Sequence, residues 1–282
     1  MNQQDYFSIL KASLPLRGKH VLEIGGAAPP SLIASGRVGS WTAIDISPQR
    51  FTESHGKEEI PHWYNALLMD ATSMTFPNAS FDIVYSTNCF EHILDIPSAL
   101  RDIYRVLKPG GVLYSIFAPI WSAPDGHHTW VWDGDTPVTF SQDLFQDWLH
   151  LVFSEEELRK HLNSKYKPQL VESIVNSVYR GTGINRVIDA DYEQEIEKYG
   201  YTPIVNLRIR SRKKPTADLL KRLRTQYPRV RDFRTEGYFW VLVKGRCRLR
   251  TRFRVYCLGL SEVAWRKAVS RIRPELGSEP EG

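Results

Sequence analysis

The stretch Val21–Ala34, VLEIGGAAPPSLIA, decides the fold. Its first residues form a short apolar run that predicts a buried strand. Gly25 and Gly26 follow directly, as glycines do in a nucleotide-cofactor loop. Pro29 and Pro30 then stand where a dinucleotide-binding loop donates backbone N–H groups to a pyrophosphate, and proline has no N–H. The loop therefore predicts a cofactor that carries a ribose and a base without a pyrophosphate.

Further apolar runs alternate with a helical pattern up to residue 120. After HVLEIG, the runs SWTAIDIS, FDIVYSTN and GGVLYSIFAPI predict three more strands. Between the last two, Leu100, Ile103, Tyr104 and Leu107 recur at the spacing of one helical face. Strands joined by helices through short links run parallel, with right-handed crossovers. The sequence thus predicts an α/β protein with a doubly wound, mostly parallel sheet.

The rest of the chain predicts additions to this sheet. QLVESIVNSVY and EGYFWVLVKG predict two more strands, antiparallel partners at the sheet edge, and residues 186–235 between them predict a mostly helical insertion. We assign residues 1–245 to one domain, with its core at 18–120 and a substrate loop at 121–150. Residues 246–282 are a basic C-terminal extension whose end is predicted to be disordered.

Four sequence blocks between Val21 and Pro119 define a family resemblance. They are VLEIGG, TAIDIS, MDATSMTFPNASFDIVYSTNCFEHI and LRDIYRVLKPGGVLYSIFAP, in this order. Together they resemble the class I S-adenosylmethionine-dependent methyltransferases, in the broad group that includes small-molecule and glycan methyltransferases. The resemblance implies a Rossmann-like methyltransferase fold and S-adenosylmethionine as the cofactor, which has a ribose and an adenine but no phosphate. It says little about the acceptor, because one fold serves many functions.

Acidic residues at strand ends predict the cofactor contacts. Asp45 ends the second strand, 20 residues beyond Gly25, where a carboxylate can accept hydrogen bonds from both ribose hydroxyls. The resemblance further implies that Glu23 and Gly25 surround the methionine part, that Asp70 lies at the adenine edge, and that Asn88 lies beside the sulfonium. The predicted cofactor-binding residues are Glu23, Gly25, Gly26, Asp45, Ile46, Asp70, Ala71 and Asn88.

Two adjacent histidines are the predicted catalytic residues. Methyl transfer to a hydroxyl requires that its proton leave, and histidine suits a general base near neutral pH. His127 and His128 lie in a loop just past the fourth strand, at the carboxyl end where ligands of such sheets bind. The acids that could orient an imidazole there are Asp125, Asp133 and Asp135. We assign His92, in CFEHI, to a helix start rather than to catalysis.

The same loop is rich in tryptophan. Trp121, Trp130 and Trp132 offer flat apolar faces that suit a sugar or an aromatic acceptor. The alternative is a packed loop whose histidines only satisfy backbone groups. The Asp and His spacing fits no metal template, so no metal site is predicted.

The positive charge of the chain lies toward its C-terminus. The net charge is +5, and residues 246–282 hold nine basic and four acidic side chains, so residues 1–245 are neutral overall. Segment 208–234 is also basic, with eleven basic and two acidic side chains. This predicts an anionic contact, either a phosphorylated acceptor or a membrane surface touched by the amphipathic segment 246–273. The alternative is a solvated basic face, with the tail packed on the domain or on a second subunit. No nucleic-acid-binding signature accompanies the charge, so RNA ranks below both.

The sequence lacks the patterns of membrane-spanning, secreted and cysteine-bound metal proteins. No run of about 18 apolar residues is present, the N-terminus lacks the pattern of a secretory signal, and the three cysteines follow no metal spacing. We therefore predict a cytoplasmic enzyme that methylates an oxygen of a small molecule or a glycan precursor. One rival is a noncatalytic partner protein of the same fold, because Ala27 and Pro29 replace two usual loop glycines. The other is a methyltransferase recruited to RNA or membranes by the tail.

Overall fold

The main sheet has the predicted doubly wound arrangement. A computed structural model describes residues 3–26, 28–55 and 59–246. The strands are β1 (His20–Ile24), β2 (Ser40–Asp45), β3 (Tyr64–Leu68), β4 (Phe81–Thr87), β5 (Leu107–Phe117), β6 (Trp130–Asp133), β7 (Thr136–Thr139), β8 (Tyr201–Arg210) and β9 (Thr235–Lys244). Seven of them form one sheet in the order β3-β2-β1-β4-β5-β9-β8. The first five run parallel, and β9 and β8 are antiparallel, which confirms the predicted fold class.

Helices surround this sheet on both faces and at its carboxyl end. They are α1 (Gln3–Ser13), α2 (Pro30–Ala34), α3 (Pro48–His55), α4 (Ile96–Val106), α5 (Leu149–Val152), α6 (Glu155–Leu162), α7 (Pro168–Arg180), α8 (Asp189–Lys198) and α9 (Ala217–Gln226). Helix α4 is the predicted one: Asp95 caps it by accepting from the amide of Ser98, and Leu100 and Ile103 are buried. No described helix is long and apolar enough to span a membrane.

The prediction of a strand for QLVESIVNSVY is wrong, because this segment forms α7. Its buried residues recur at helical rather than alternating spacing, namely Leu170, Val171, Ile174, Val175 and Val178. Pro168 begins the helix, in a position where its missing N–H costs nothing. A short apolar run fits both periods, and packing against α6 decides for the helix.

The insertion also differs from its prediction. Residues 186–235 contain α8 and α9, but Tyr201–Arg210 between them forms β8, the edge strand of the main sheet. This strand carries Pro203, Arg208 and Arg210, residues that are common at sheet edges and rare in central strands. The predicted extension 246–282 lies outside the described residues, apart from Arg246.

The described residues bury two separate apolar regions. The faces of the main sheet pack against the helices beside them. A second core, which we call the helical cluster, joins α5, α6, α7 and α9. The chain leaves the sheet after Phe117, builds most of this cluster, and returns at Tyr201. The predicted substrate loop, 121–150, belongs to it and includes the β6–β7 hairpin.

Candidate active site

The strand order changes direction between β1 and β4, and ligands of such sheets bind at this switch point. Gly25, just past β1, has a positive φ of 75°, and a Cβ added there would lie 2.7 Å from the Sγ atom of Cys89. A Cβ on Gly26 would lie 2.6 Å from that of Ala43. Both positions therefore require glycine, one for its backbone and its approach to the β4 loop and the other for its approach to β2.

Three amides of the opening loop are already bonded within the protein. Those of Gly25 and Gly26 donate to the carbonyl oxygen of Ile44, at 3.0 and 3.1 Å. The amide of Ala28 donates to Glu23 Oε1 at 3.1 Å, and Pro29 has no N–H. These donors therefore cannot cradle a pyrophosphate, which fits the prediction of a cofactor without one.

The carboxylate of Glu23, in β1, holds the loop that follows this strand. Its buried carboxylate also accepts from Trp41 Nε1, at 2.7 Å, so each oxygen has a protein donor. The carboxylate joins the loop after β1 to the neighbouring strand β2. A contact between Glu23 and the methionine part of the cofactor stays a prediction, and the observed geometry favours positioning of the loop.

The predicted ribose and adenine residues lie at the ends of two neighbouring strands. Asp45 Oδ1 accepts from the amide of Ser47 at 2.7 Å, and Asp70 Oδ1 accepts from the amide of Thr72 at 2.8 Å. The amide of Met69 donates to the carbonyl oxygen of Asp45, which holds the two ends together. Among the described hydrogen bonds, none uses the second oxygen of either carboxylate. Exposed Ile46 and buried Ala71 lie beside the two acids.

The loop after β4 faces the loop after β1. Asn88, at its start, accepts a hydrogen bond from the hydroxyl of Tyr6, 3.0 Å away on α1. The pKa of Cys89 is raised to about 12 by burial, and the charges of Glu91 and Asp45 add to this effect, so both acids lie near enough to act on the thiol. Sequence reasoning missed Tyr6, Cys89 and Glu91. Tyr6 gave no signal, since its partner is 82 residues away.

The structure separates the two predicted catalytic histidines. The ring of His127 is buried against Phe145 and His150, and its Nδ1 bonds with the hydroxyl of Thr129 at 2.8 Å. No described carboxylate orients it, contrary to our expectation for the nearby acids. Burial lowers its pKa well below the usual value. His127 therefore packs inside the helical cluster.

His128 lies closer to the crevice. Its ring centroid is 4.7 Å from that of His92, in the loop after β4, and its Nδ1 is buried without a hydrogen-bond partner among the described residues. Desolvation lowers its pKa to about 3, so the ring is neutral and can accept a hydrogen bond. His92 also bonds with the carbonyl oxygen of Gly183, which joins the β4 loop to the segment after α7.

The tryptophans of the loop take two different environments. Trp121 is buried, whereas Trp130 and Trp132 are 63% and 59% exposed and project from one face of the hairpin. The opposite face carries Val131, which packs on the helical cluster. An acceptor can therefore contact Trp130 and Trp132, and their role in binding it stays a prediction. No group of three or more His, Cys, Asp or Glu side chains in the described ranges is arranged to hold a metal ion.

Buried histidines make stability dependent on pH. Burial lowers the pKa of His150 to about 4, and its Nε2 donates to the carbonyl oxygen of Trp121. A histidine with a lowered pKa stabilises the fold above about pH 6.5 and loses this contribution as the pH falls, because the unfolded chain binds the proton. We expect the free energy of unfolding to fall by about 2 kcal/mol at pH 5 from His150 alone.

Chemical denaturation at pH 7 and pH 5 measures this loss. His150→Gln should reduce it, while His62→Gln, at an exposed site, should leave it unchanged. Equal acid sensitivity of the His150 variant and the parent protein would contradict the assignment.

Comparison with known proteins agrees with this geometry. Residues 22–115, about a third of the chain, match the family described as "Methyltransferase domain". This segment therefore matches a methyltransferase domain, and the seven-stranded sheet with its switch point agrees with the predicted class I S-adenosylmethionine-dependent fold. The predicted class and its cofactor, S-adenosylmethionine, are thereby confirmed.

Curated relatives share only part of the chain. A 2-methyl-6-phytyl-1,4-hydroquinone methyltransferase from Synechocystis is 29% identical over 142 residues, which cover 50% of this chain and 43% of that protein. A malonyl-[acyl-carrier protein] O-methyltransferase from Xylella fastidiosa is 36% identical over 103 residues, 35% of each chain. The chain thus matches less than half the length of these relatives, and they act on different acceptors.

Solved structures extend the likeness of fold. A putative S-adenosylmethionine-dependent methyltransferase from Listeria monocytogenes aligns over 86% of this chain and 99% of its own, with a TM-score of 0.53 and 14% identity. A putative methyltransferase from Haloferax volcanii, solved with the Trm112 activator, aligns over 86% and 90%, with a TM-score of 0.50 and 18% identity. The fold beyond residues 22–115 is thus also shared.

Proposed function

We propose that this chain transfers the methyl group of S-adenosylmethionine to an oxygen atom of a small molecule or a glycan precursor. One observation carries the proposal. The amides of Gly25, Gly26 and Ala28 are bonded within the protein, while Asp45 and Asp70 each have one carboxylate oxygen that no described hydrogen bond uses. A ribose and an adenine fit these acceptors, and none of these three amides is left to bind a pyrophosphate.

When bound, S-adenosylmethionine supplies a methyl group on a sulfonium, whose sulfur is a good leaving group. The protein has to bind the acceptor in line with this methyl group. An acceptor hydroxyl that took this methyl group on its oxygen would release its proton, so the site also has to provide a group that accepts the proton. Trp130 and Trp132 offer apolar faces for an acceptor ring, which supports an aromatic or sugar acceptor.

Between the two histidines, the geometry favours His128 as the proton acceptor. Its ring lies beside His92 of the β4 loop and its Nδ1 has no partner among the described residues, whereas His127 Nδ1 is bonded to Thr129. Because the pKa of His128 is low, we expect an effect at the lower end of general-base catalysis. An anionic contact at the basic segments 208–234 and 246–282, with a phosphorylated acceptor held by the arginines after Gly245, and a membrane contact through 246–273 remain predictions. Several basic side chains of the first segment are ion-paired, such as Arg208 with Glu193.

A binding experiment separates an enzyme from a noncatalytic protein of the same fold. We expect both S-adenosylmethionine and S-adenosylhomocysteine to raise the melting temperature of the chain. A shift with neither ligand would support the noncatalytic rival. Labelled S-adenosylmethionine, tested against candidate phenols, sugars and lipid-linked glycans, then identifies the acceptor class.

The histidine assignment predicts a difference between two variants. With an acceptor from that screen, His128→Ala should lower kcat about tenfold or more and change the affinity for S-adenosylmethionine less than about threefold. His127→Ala should mainly lower the melting temperature, because it opens a cavity beside Phe145. An unchanged kcat in both variants would remove histidine from the mechanism.

A further inference from the structure

One buried carboxyl group near the crevice has no role in the site described so far. Glu91 is completely buried, and neither of its carboxylate oxygens is hydrogen-bonded among the described residues. An unsatisfied buried carboxyl is costly, and native proteins keep few of them. Its own amide and that of Ala118 lie nearby and favour the charged form, but they fall short of hydrogen-bond geometry. The structure thus places an unused acceptor here.

The surroundings of Glu91 locate it at the switch point. Glu91 lies two residues after Cys89, whose thiol is next to Gly25. Its carboxyl group is close to the amide of Ala118, the first residue after β5. The segment after α7 fixes the loop from the other side, because the amide of Asn185 donates to the carbonyl oxygen of Glu91. The carboxyl group therefore lies at the carboxyl ends of β4 and β5, beside the crevice.

The side chains on which this carboxyl acts are uncharged at neutral pH. Its charge acts on Tyr6 of α1, Cys89 of the same loop and Tyr192 of α8, and it raises the pKa of all three. No charged side chain of the described residues contributes to the pKa of Glu91, which burial raises to about 8. Arg50 acts on the neighbouring Cys89 and His92 but not on Glu91, so the described part of the chain supplies no positive partner for this acid.

We propose that Glu91 is the charge partner of the sulfonium, and that it lets the protein bind S-adenosylmethionine in preference to the neutral thioether product. The inference rests on the proposed function, since it needs S-adenosylmethionine at this switch point. A fixed positive charge would favour the ionised carboxyl group and satisfy it electrostatically. After transfer the sulfur is neutral, so the same carboxyl group no longer favours the ligand.

The sign of the pH dependence follows. In the free protein Glu91 is mostly protonated at neutral pH, and a bound cation lowers its pKa. Binding of S-adenosylmethionine therefore releases a proton, and the affinity rises with pH until it levels off above about pH 8. S-adenosylhomocysteine has no sulfonium and should show neither effect through Glu91.

Calorimetry on the full chain with both ligands, at pH 6 and pH 8.5, tests the inference. The amino group of each ligand titrates in every protein variant, so comparison with Glu91→Gln cancels it. This variant should fold, because the free protein already holds a neutral group there at pH 6. We expect equal affinities for S-adenosylmethionine at pH 6, and about tenfold weaker binding by Glu91→Gln at pH 8.5. Affinities for S-adenosylhomocysteine should agree within about twofold at both values.

A second readout is the binding heat at pH 7 in two buffers of different ionisation enthalpy, which reports proton release. Asp45→Asn is the matched control, since it should lower the affinity for both ligands and leave the proton release unchanged. Equal losses of both ligands in Glu91→Gln, or unchanged proton release, would overturn the inference and leave the proposed function intact. If the parent protein binds neither ligand, the proposed function fails and this inference fails with it.

Discussion

Replacing Asp45 with alanine is expected to weaken the binding of S-adenosylmethionine by about a hundredfold. The carboxylate has one oxygen bonded to the amide of Ser47 and a second oxygen that no described hydrogen bond uses. Hydrogen bonds to a charged acceptor contribute about 1.5–3 kcal/mol each. Losing two such bonds to the ribose hydroxyls, at the lower figure for each, corresponds to about a hundredfold change in affinity. Titration calorimetry measures it directly.

Two comparisons make the Asp45 result specific. Asp45→Asn keeps an oxygen for the amide of Ser47 and loses only the charge, so it should bind more tightly than Asp45→Ala. S-adenosylhomocysteine should lose as much affinity as S-adenosylmethionine, because both contain the ribose. Unchanged binding by Asp45→Ala would mean that the ribose lies elsewhere.

Glu23→Ala should lower the free energy of unfolding by about 4 kcal/mol, the largest loss of stability we predict. The variant leaves the indole N–H of Trp41 and the amide N–H of Ala28 buried without an acceptor. Each such group costs about 1–3 kcal/mol. Urea denaturation measures the change. Glu23→Gln keeps an oxygen for one donor and should lose about half as much.

An exposed glutamate supplies the control for Glu23. Glu197→Ala, on α8, should change stability by less than about 0.5 kcal/mol. If Glu23→Ala keeps its stability but binds S-adenosylmethionine poorly, the carboxylate contacts the ligand as the sequence predicted, and our interpretation of loop positioning is wrong.

Four of the five parallel strands were predicted because their signals are local, and the crossover helix α4 carries its own cap in Asp95. Strand β3 was missed, because its run is short and four of its five residues are exposed. The segments in and before the antiparallel half of the sheet have weaker local signals. α7 has an apolar run that satisfies strand and helix periods alike, and β8 carries arginines and a proline that mask its alternation. Tertiary packing decided both.

The residues of the candidate site also fall into a part that the sequence predicts and a part that it does not. Gly25, Asp45 and Asp70 follow strand ends, and parallel strands bring their carboxyl ends to one edge, so sequence order alone groups them. The bond between Tyr6 and Asn88 joins residues 82 positions apart. His127 and His128 are neighbours in sequence, yet one ring is buried in the helical cluster and the other faces His92. Single-sequence patterns contain no information about such pairings.

The helical cluster is built mainly from one excursion of the chain between β5 and β8, and it has an apolar core of its own. Substitutions inside it can therefore reshape what reaches the crevice without shifting the register of the parallel strands. Under the proposed function, changes in this cluster would alter which acceptor is bound, while the strand ends that bind the methyl donor would keep their places.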